Sequence, residues 1–245
     1  MDKSPAIIFE DNHLIVVIKP CGVPSQPDAS GDLDMLTMLK EHRRVSENKL
    51  GEAFVGLIHR LDRVTGGVMV FAKTSKSASR LSEQMRDGGF SKKYLAIVQG
   101  VPRERTATLE HYLLKNERTN RVDIVGAAVV GAKRAELSYN VRAQAQRDGQ
   151  ELSLVEINLV TGRSHQIRVQ LAKIGHSIVG DCKYRSSSSD VGVSSEKQLA
   201  LWANELAFNH PTADGQMRRM RFQVNPPEEG VWDTFDFNRK SHKTK

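Results

Sequence analysis

Cysteine is scarce in this sequence: Cys21 and Cys182 are the two cysteines in 245 residues. They lie far apart, and neither has a second cysteine at CxxC spacing. The pattern therefore supports neither a disulfide framework nor a cysteine-ligated zinc site. We expect both side chains to be ordinary reduced thiols.

Long apolar runs are also missing. No stretch of about 18 apolar residues occurs, which is the length that a membrane-spanning helix needs. The first residues, MDKSPAIIFED, contain no apolar segment of the kind that marks a secretion signal. We therefore expect a cytoplasmic protein with no membrane partner.

Acidic residues are outnumbered, because 29 Asp and Glu accompany 36 Lys and Arg, giving a net charge of +7 and a pI near 9.5. Such a chain suits a polyanionic partner, although a solvated basic surface explains the composition equally well. With 39% hydrophobic residues the chain can bury one sizeable core. We expect a single catalytic domain over residues 1–237.

The periodicity of apolar residues predicts strands mixed with helices. The predicted strands are AIIFE and LIVVIK as a hairpin, FVGLI, VMVFA, YLAIVQ, AELSYNV antiparallel to LSLVEINLV, LALWANELAF and RMRFQV. The predicted helices cover 33–45, 75–87 with Ser75 as cap, and 164–175 with Ser164 as cap. A Ser-rich segment at 186–195 predicts a mobile loop, and the basic residues 238–245 predict a tail that frays or adds weak RNA affinity.

The loop HRLDRVTGG at 59–67 places Asp62 between Arg60 and Arg63, with a strand predicted on each side. An aspartate in an arbitrary loop usually accepts turn hydrogen bonds or pairs with a neighbouring arginine. Alternatively, the arginines keep a partly buried carboxylate ionised, and such a carboxylate can act as a nucleophile. The loop alone leaves both interpretations open.

A second polar cluster lies where the helix predicted over 164–175 begins. Its members are Arg163, His165, Gln166 and Arg168. Such a cluster suits a phosphate or carboxylate, with Arg168 reaching inward beside the apolar face. An arginine that covers the core is an equally good interpretation. Tyr94, which starts a strand, is either a core residue with its hydroxyl at the rim or a stacking surface for an extruded base.

Five segments of the sequence carry motifs of one known family, in the order in which that family has them. They are KPCGVPSQP at 19–27, HRLDRVTGGVMVFAK at 59–73, KKYLAIVQG at 92–100, LVTGRSHQIRVQLAKIGHSIVGDCKY at 159–184 and LAFNHP at 206–211. Together they resemble the RluA-type pseudouridine synthase family, and HRLD followed by TGG is fairly specific to it. The resemblance implies an α+β fold, with a mixed, largely antiparallel sheet flanked by helices and loops around a basic cleft.

The resemblance also implies a function. The chain would isomerise uridines in structured ribosomal or transfer RNA as a monomer, with no cofactor or metal. Asp62 would attack the target nucleotide or stabilise a glycal-like intermediate, and Arg168 would pair with it. Tyr94 would stack on the uracil and take part in the closing proton transfer, and Ile167 would pack on the other face of the ring. Arg60 would fill the gap that the flipped uridine leaves in the RNA stack.

Other polar residues of the matching motifs are expected to contact RNA, because extruding a base costs a few kcal/mol that such contacts must offset. The full expected set is Lys19, His59, Arg60, Arg63, Arg163, His165 and Gln166. Gly66 stands where the family often has serine, and Gln170 where it often has histidine, so loop rigidity or RNA contacts are expected to differ. Since the strands begin at Ala6, no S4-like RNA-binding domain is expected.

Two other functions remain open. His59, Asp62 and His165 make a two-histidine, one-carboxylate set of the kind that binds a divalent metal in some enzymes. The other alternative is a non-catalytic RNA-binding protein on the same scaffold. Such a protein would be expected to have lost Asp62.

Overall fold

The computed structural model describes residues 5–185, 198–212 and 218–237. The Ser-rich segment at 186–195 and the basic tail at 238–245 lie outside the described residues, so both stay predictions. Among the described segments, no helix is long and apolar enough to cross a membrane.

The described segments form eleven strands, three α-helices and one 3₁₀ turn. The strands are β1 (Ala6–Glu10), β2 (Leu14–Lys19), β3 (Gly56–Leu57), β4 (Gly66–Ala72), β5 (Ser91–Gln99), β6 (Thr106–Asn116), β7 (Arg121–Val125), β8 (Lys133–Arg147), β9 (Gln150–Leu159), β10 (Leu201–Asn209) and β11 (Arg219–Gln223). The helices are α1 (Met35–Ser46), α2 (Ser75–Arg86) and α3 (Gln166–Lys173), and the 3₁₀ turn is Gly230–Thr234.

The chain divides into two compact units. The first takes the described residues of Met1–Tyr94 and Trp202–Val224, and the second takes those of Leu95–Leu201 and Asn225–Lys245. The single catalytic domain expected over 1–237 therefore stays a prediction.

The first unit contains a mixed group of strands in the order β1-β2-β4-β10, with β3 paired to β4 and β11 to β10. The pairing of β4 with β10 is parallel, whereas β2 runs antiparallel to both β1 and β4. Strands β2 and β4 are apolar almost throughout because they are buried along nearly their whole length. Helix α2 covers them by packing Leu81 against this core.

The second unit contains residues 95–99 of β5, followed by the strands in the order β9-β8-β6-β7, whereas residues 91–94 of β5 belong to the first unit. The long β8–β9 hairpin is antiparallel, as the sequence predicts, and β6 runs antiparallel to β7 and β8. Helix α3 packs Val169 into a cluster with Leu113, Val122, Ala135 and Tyr184. The two units confirm the predicted α+β class with largely antiparallel strands and flanking helices.

Both predicted helix caps are wrong by one residue. Thr74, not Ser75, caps α2, because its hydroxyl accepts the Ser77 N–H at 3.1 Å. His165, not Ser164, is the N-cap of α3; it has a left-handed backbone with φ 50° and makes no side-chain cap bond.

A glycine pair joins the Asp62 loop to β10. Gly66 lies opposite Trp202 and Gly67 opposite Ala203 in the parallel pairing. A Cβ on Gly66 would lie 2.3 Å from the Trp202 ring, and one on Gly67 would lie 2.3 Å from the Ala203 carbonyl oxygen. Gly67 also has φ 122°, which L-residues rarely adopt. Glycine is therefore required at both positions in this packing.

We expect Gly67→Ala to lower the free energy of unfolding by roughly 2–5 kcal/mol, because a positive φ and a steric overlap add together. Urea denaturation followed by circular dichroism measures this. Gly51→Ala is the control, since a Cβ at Gly51 meets no atom within 4 Å. Equal midpoints for the two variants would contradict the steric account.

Candidate active site

The loop His59–Gly67 holds Asp62 at the start of a tight turn. The Thr65 N–H donates to the Asp62 carbonyl oxygen at 2.9 Å. The turn leads directly into Gly66 and Gly67, which lie flat against β10. Asp62 is partly buried, and its backbone is fixed on the C-terminal side by this glycine contact.

The peptide groups on either side of Asp62 are held by the segment that follows β2. The Ser25 hydroxyl donates to the Leu61 carbonyl at 2.8 Å and accepts the Leu61 N–H at 3.1 Å. On the other side, the Arg63 carbonyl accepts from the Lys19 ammonium at 3.1 Å and from the Gly22 N–H at 2.8 Å. Four hydrogen bonds from residues 19–25 thus bracket the candidate nucleophile.

Lys19 is 0% exposed and points into the protein. Its ammonium also donates to the carbonyls of Pro20 at 2.9 Å and Val23 at 2.6 Å. Burial lowers the pKa of Lys19 to about 8, against the opposing effect of the negative charge of Asp62. The ammonium therefore has no exposed surface in this structure and joins three carbonyls, and an RNA contact by Lys19 stays a prediction.

Tyr94 is close enough to Asp62 for the negative charge of Asp62 to affect the pKa of its hydroxyl. Its side chain is buried on β5, 8% exposed. Burial, and then the negative charge of Asp62, raise the pKa of the Tyr94 hydroxyl above its ordinary value. The hydroxyl therefore keeps its proton at neutral pH, beside a carboxylate.

His59 is an uncharged hydrogen-bond acceptor. Its Nε2 atom accepts the Val70 N–H at 3.2 Å. Burial, and to a lesser degree the charge of Lys92, lower the pKa of His59 to about 4. An RNA contact by His59 stays a prediction, but at neutral pH it cannot be a cationic one.

The two arginines beside Asp62 differ in their contacts. Arg63 donates to the Gly22 carbonyl at 3.0 Å and to the Ser30 hydroxyl at 2.9 Å, and it pairs with Asp32. It therefore supports the preceding loop, and its RNA contact stays a prediction. Arg60 is exposed and makes no hydrogen bond or ion pair with the part of the chain that the structure describes.

The second polar cluster centres on Arg168 in α3. Arg168 is 5% exposed, and its Nε and Nη2 atoms each donate to the Asp181 carboxylate at 2.7 Å. In this bidentate pair, the buried positive charge of Arg168 is balanced by the buried negative charge of Asp181. The pairing of Arg168 with Asp62 stays a prediction, as does the contact of the neighbouring, buried Ile167 with uracil.

Tyr184 is the residue of this cluster that the sequence analysis missed. Its ring centroid lies 5.2 Å from the Arg168 guanidinium carbon. Its hydroxyl accepts the Val122 N–H at 2.8 Å and is hydrogen-bonded to His165 Nδ1 at 2.7 Å. The signal was the tyrosine that ends the GDCKY motif. An RNA contact by His165 stays a prediction.

Gln166 is a structural residue. Its side-chain oxygen accepts the Thr161 hydroxyl at 2.8 Å and the Arg163 N–H at 3.0 Å, and its amide donates to the Glu136 carbonyl at 3.0 Å. The side chain is buried, and its bonds close the turn before α3 and join α3 to β8, so an RNA contact by Gln166 stays a prediction. Arg163 is exposed and donates to the Arg134 carbonyl at 3.1 Å, so its phosphate contact stays a prediction.

Two further expectations from the sequence are corrected. Gln170 cannot alter RNA contacts directly, because it is fully buried and its amide donates to the Leu109 carbonyl at 3.1 Å. The proposed metal set of His59, Asp62 and His165 is not supported. Within residues 5–185, 198–212 and 218–237, no three His, Cys, Asp or Glu side chains are grouped to hold a metal ion.

Several known proteins are similar to this chain. The family model for RNA pseudouridylate synthase matches residues 13–173. The RNA pseudouridine synthase YhcT of Bacillus subtilis is 32% identical over 213 residues, which cover 85% of this chain and 65% of that protein. The chain thus spans slightly under two thirds of that relative.

A second relative matches along nearly its whole length. The dual-specificity RNA pseudouridine synthase RluA of Vibrio parahaemolyticus is 32% identical over 245 residues, covering 98% of this chain and 92% of that protein. Among solved structures, human RNA pseudouridylate synthase domain containing 1 has a TM-score of 0.74 at 23% identity, covering 94% of this chain and 87% of that chain. The structural likeness shows a shared fold.

The desolvated imidazole of His59, a half-buried residue, predicts a measurable pH dependence of the free energy of unfolding. The pKa of a histidine in the unfolded chain is 6.5, whereas the pKa of His59 in the folded protein is about 4. Between these values the unfolded state binds more protons, so the free energy of unfolding falls as the pH falls, by up to about 3 kcal/mol. In His59→Gln, whose amide oxygen can still accept the Val70 N–H, this component is expected to vanish. Parallel stability curves for the two proteins between pH 4 and 6.5 would contradict the assignment.

Proposed function

The chain belongs to the RNA pseudouridylate synthase family, and from this premise we propose that it isomerises uridine to pseudouridine in structured RNA with Asp62 as the nucleophile. The observation that carries the proposal is the bracketing of Asp62 by residues 19–25 together with its charge coupling to Lys19 and Tyr94. A reacting carboxylate needs a fixed backbone and a partly dry setting, and both are present here.

In the proposed reaction, the Asp62 carboxylate attacks the target nucleotide at the sugar carbon, or stabilises the glycal-like intermediate, as the bond from that carbon to uracil N1 breaks. The uracil turns, and its C5 atom bonds to the same sugar carbon. If Asp62 has bonded to that carbon, this bond breaks as the C5 bond forms and the carboxylate is released; in the glycal alternative, the proton removed from the sugar returns to it. The C5 proton is then lost and N1, which was bonded to the sugar in the substrate, gains a proton, so substrate and product have the same composition. The reaction therefore needs no electron or group donor.

Tyr94 supplies a protonated hydroxyl and a ring beside this carboxylate. Because the pKa of the Tyr94 hydroxyl is raised, the hydroxyl stays protonated in the resting protein and cannot accept a proton there. We assign its ring to stacking on the uracil, with Ile167 on the other face, and its hydroxyl to donating a hydrogen bond during the closing proton transfer.

The surface arginines supply the RNA contacts in this proposal. Arg60 is exposed at the loop that carries the nucleophile, and a long planar side chain there is suited to fill the gap left by a flipped base. Arg163 and His165 lie at the start of α3 and are assigned to phosphate. Arg168 is assigned to pair with Asp62. Ribosomal and transfer RNA are both candidate substrates of this chain.

Replacing the proposed nucleophile tests this function directly. We expect Asp62→Asn to abolish pseudouridine formation while RNA affinity changes less than about tenfold, because the side chain keeps its shape and loses its nucleophilic charge. Tritium release from RNA carrying 5-labelled uridine measures turnover on ribosomal and transfer RNA separately. Asp148→Asn, at an exposed position with a left-handed backbone that asparagine tolerates, is the matched control. Full turnover by Asp62→Asn would remove the basis of the mechanism.

The buried ammonium predicts a pH effect on the same reaction. As the pH rises through about 8, Lys19 loses a proton, and the amine then has two N–H groups for three carbonyls. We expect kcat to fall several-fold across this range, because the peptide after Asp62 is held less firmly. Lys19→Met should have a lower kcat without this step. Ser25→Ala should lower kcat and keep the step. A Lys19→Met profile identical in shape to that of the unaltered protein would contradict the role of Lys19.

A further inference from the structure

A basic surface lies at the end of the β6–β7 hairpin, in the second unit. We call it the hairpin surface and define it by Lys115, Arg118, Arg121, Lys183 and Arg185. All but the half-buried Lys183 are exposed. Two carboxylates, Glu117 and Asp123, lie in the same part of the hairpin, and Glu117 pairs with Lys115 at 2.5 Å. The surface therefore has an excess of positive charge.

The backbone of the hairpin surface is fixed by hydrogen bonds. The Asn116 side-chain oxygen accepts the N–H groups of Arg118 at 3.1 Å and Thr119 at 3.2 Å, which sets the turn. The Lys183 ammonium donates to the Asn120 carbonyl at 2.9 Å, and Arg121 donates to the Lys183 carbonyl. Two chain segments that are distant in sequence are thereby joined, and their cations are presented together.

Most of these charges are not neutralised. No described carboxylate forms an ion pair with Arg118, Arg121 or Lys183. Arg134 on the adjacent strand is different, since it pairs with Glu110 at 2.7 Å and Glu136 at 2.6 Å. Clustered like charges repel one another, so an anionic partner would be favoured at this surface.

The hairpin surface is continuous with the surroundings of Arg168. The guanidinium carbon of Arg121 lies 5.4 Å from the centroid of the Tyr184 ring, and that of Arg168 lies 5.2 Å from the same centroid. The Val122 N–H donates to the Tyr184 hydroxyl, which fixes this ring beneath the hairpin. One aromatic ring thus joins an exposed arginine to the buried arginine assigned to the reaction.

We propose that the hairpin surface binds phosphodiester groups of the RNA substrate. The inference rests on the proposed function for the nature of the substrate. Guanidinium and ammonium groups bind phosphate oxygens in any sequence, so this surface would position the RNA and leave the choice of uridine to other contacts.

Arg118 provides the cleanest test, because the turn depends on its backbone, and its side chain makes no hydrogen bond or ion pair with the described residues. A fluorescein-labelled stem-loop RNA with uridines in the loop is titrated with the full chain over a range of salt concentrations. We expect Arg118→Glu to weaken binding about tenfold near 0.1 M salt and to reduce the slope of log K against log salt by about 0.7–0.9 per lost phosphate contact. Arg118→Lys keeps the positive charge and should bind nearly as the unaltered protein does.

Arg103→Glu is the matched control. Arg103 is exposed in the same unit and precedes β6, whereas Arg118 follows it, so the strand separates them by roughly 30 Å. Its variant should bind RNA within about twofold of the unaltered protein. An unchanged slope in Arg118→Glu, or an equal loss in Arg103→Glu, would overturn the proposal.

Failure of the proposed function gives a different result. If the unaltered protein binds the RNA with the expected salt dependence but forms no pseudouridine on any RNA, the function fails while the loss in Arg118→Glu still supports the hairpin surface. If the unaltered protein binds no RNA even at low salt, the hairpin surface is overturned as well.

Discussion

The arrangement around Asp62 depends on the pairing of β2 with β4, which sets Lys19 opposite Gly67. This register brings the segment after β2 against the loop before β4, although about 40 residues separate Lys19 from the loop in sequence. Ser25, Gly22 and Lys19 can then bond to the peptides beside Asp62. The carboxylate is thus positioned by the sheet, and its own loop supplies only the turn.

Burying an ammonium is costly, so the position of Lys19 needs an explanation. A well-packed apolar side chain would avoid the desolvation penalty, which is visible in the lowered pKa. It would also leave the carbonyls of Pro20, Val23 and Arg63 without this donor. Lys19 therefore lowers the stability of the protein somewhat, but it fixes the loop by joining three carbonyls. The nearby negative charge of Asp62 offsets part of the desolvation penalty.

Sequence reasoning located most of the strands, the three helices and the Asp62 loop, because apolar periodicity and glycine positions are local signals, but it missed β6 and β7. It could not give the direction of a polar side chain where that direction depends on tertiary structure. Lys19 and Gln166 stand in polar motifs and were predicted to face RNA, yet both are buried and bond to backbone groups. Tyr184 was overlooked because its partners, Val122 and His165, come together only when β7 and α3 pack.

Buried and exposed cations of this chain differ in the partners that they have. Lys19 and Arg168 are both buried, and each has backbone carbonyls or a carboxylate within hydrogen-bond distance. Arg118 and Arg121, at the exposed end of a hairpin, have no carboxylate partner in the described residues. Because water already solvates exposed charges, neutralising them would add little stability, and leaving them unpaired preserves their attraction for an anion. The buried cations Lys19 and Arg168 therefore order the protein, whereas Arg118 and Arg121 remain available to a polyanion.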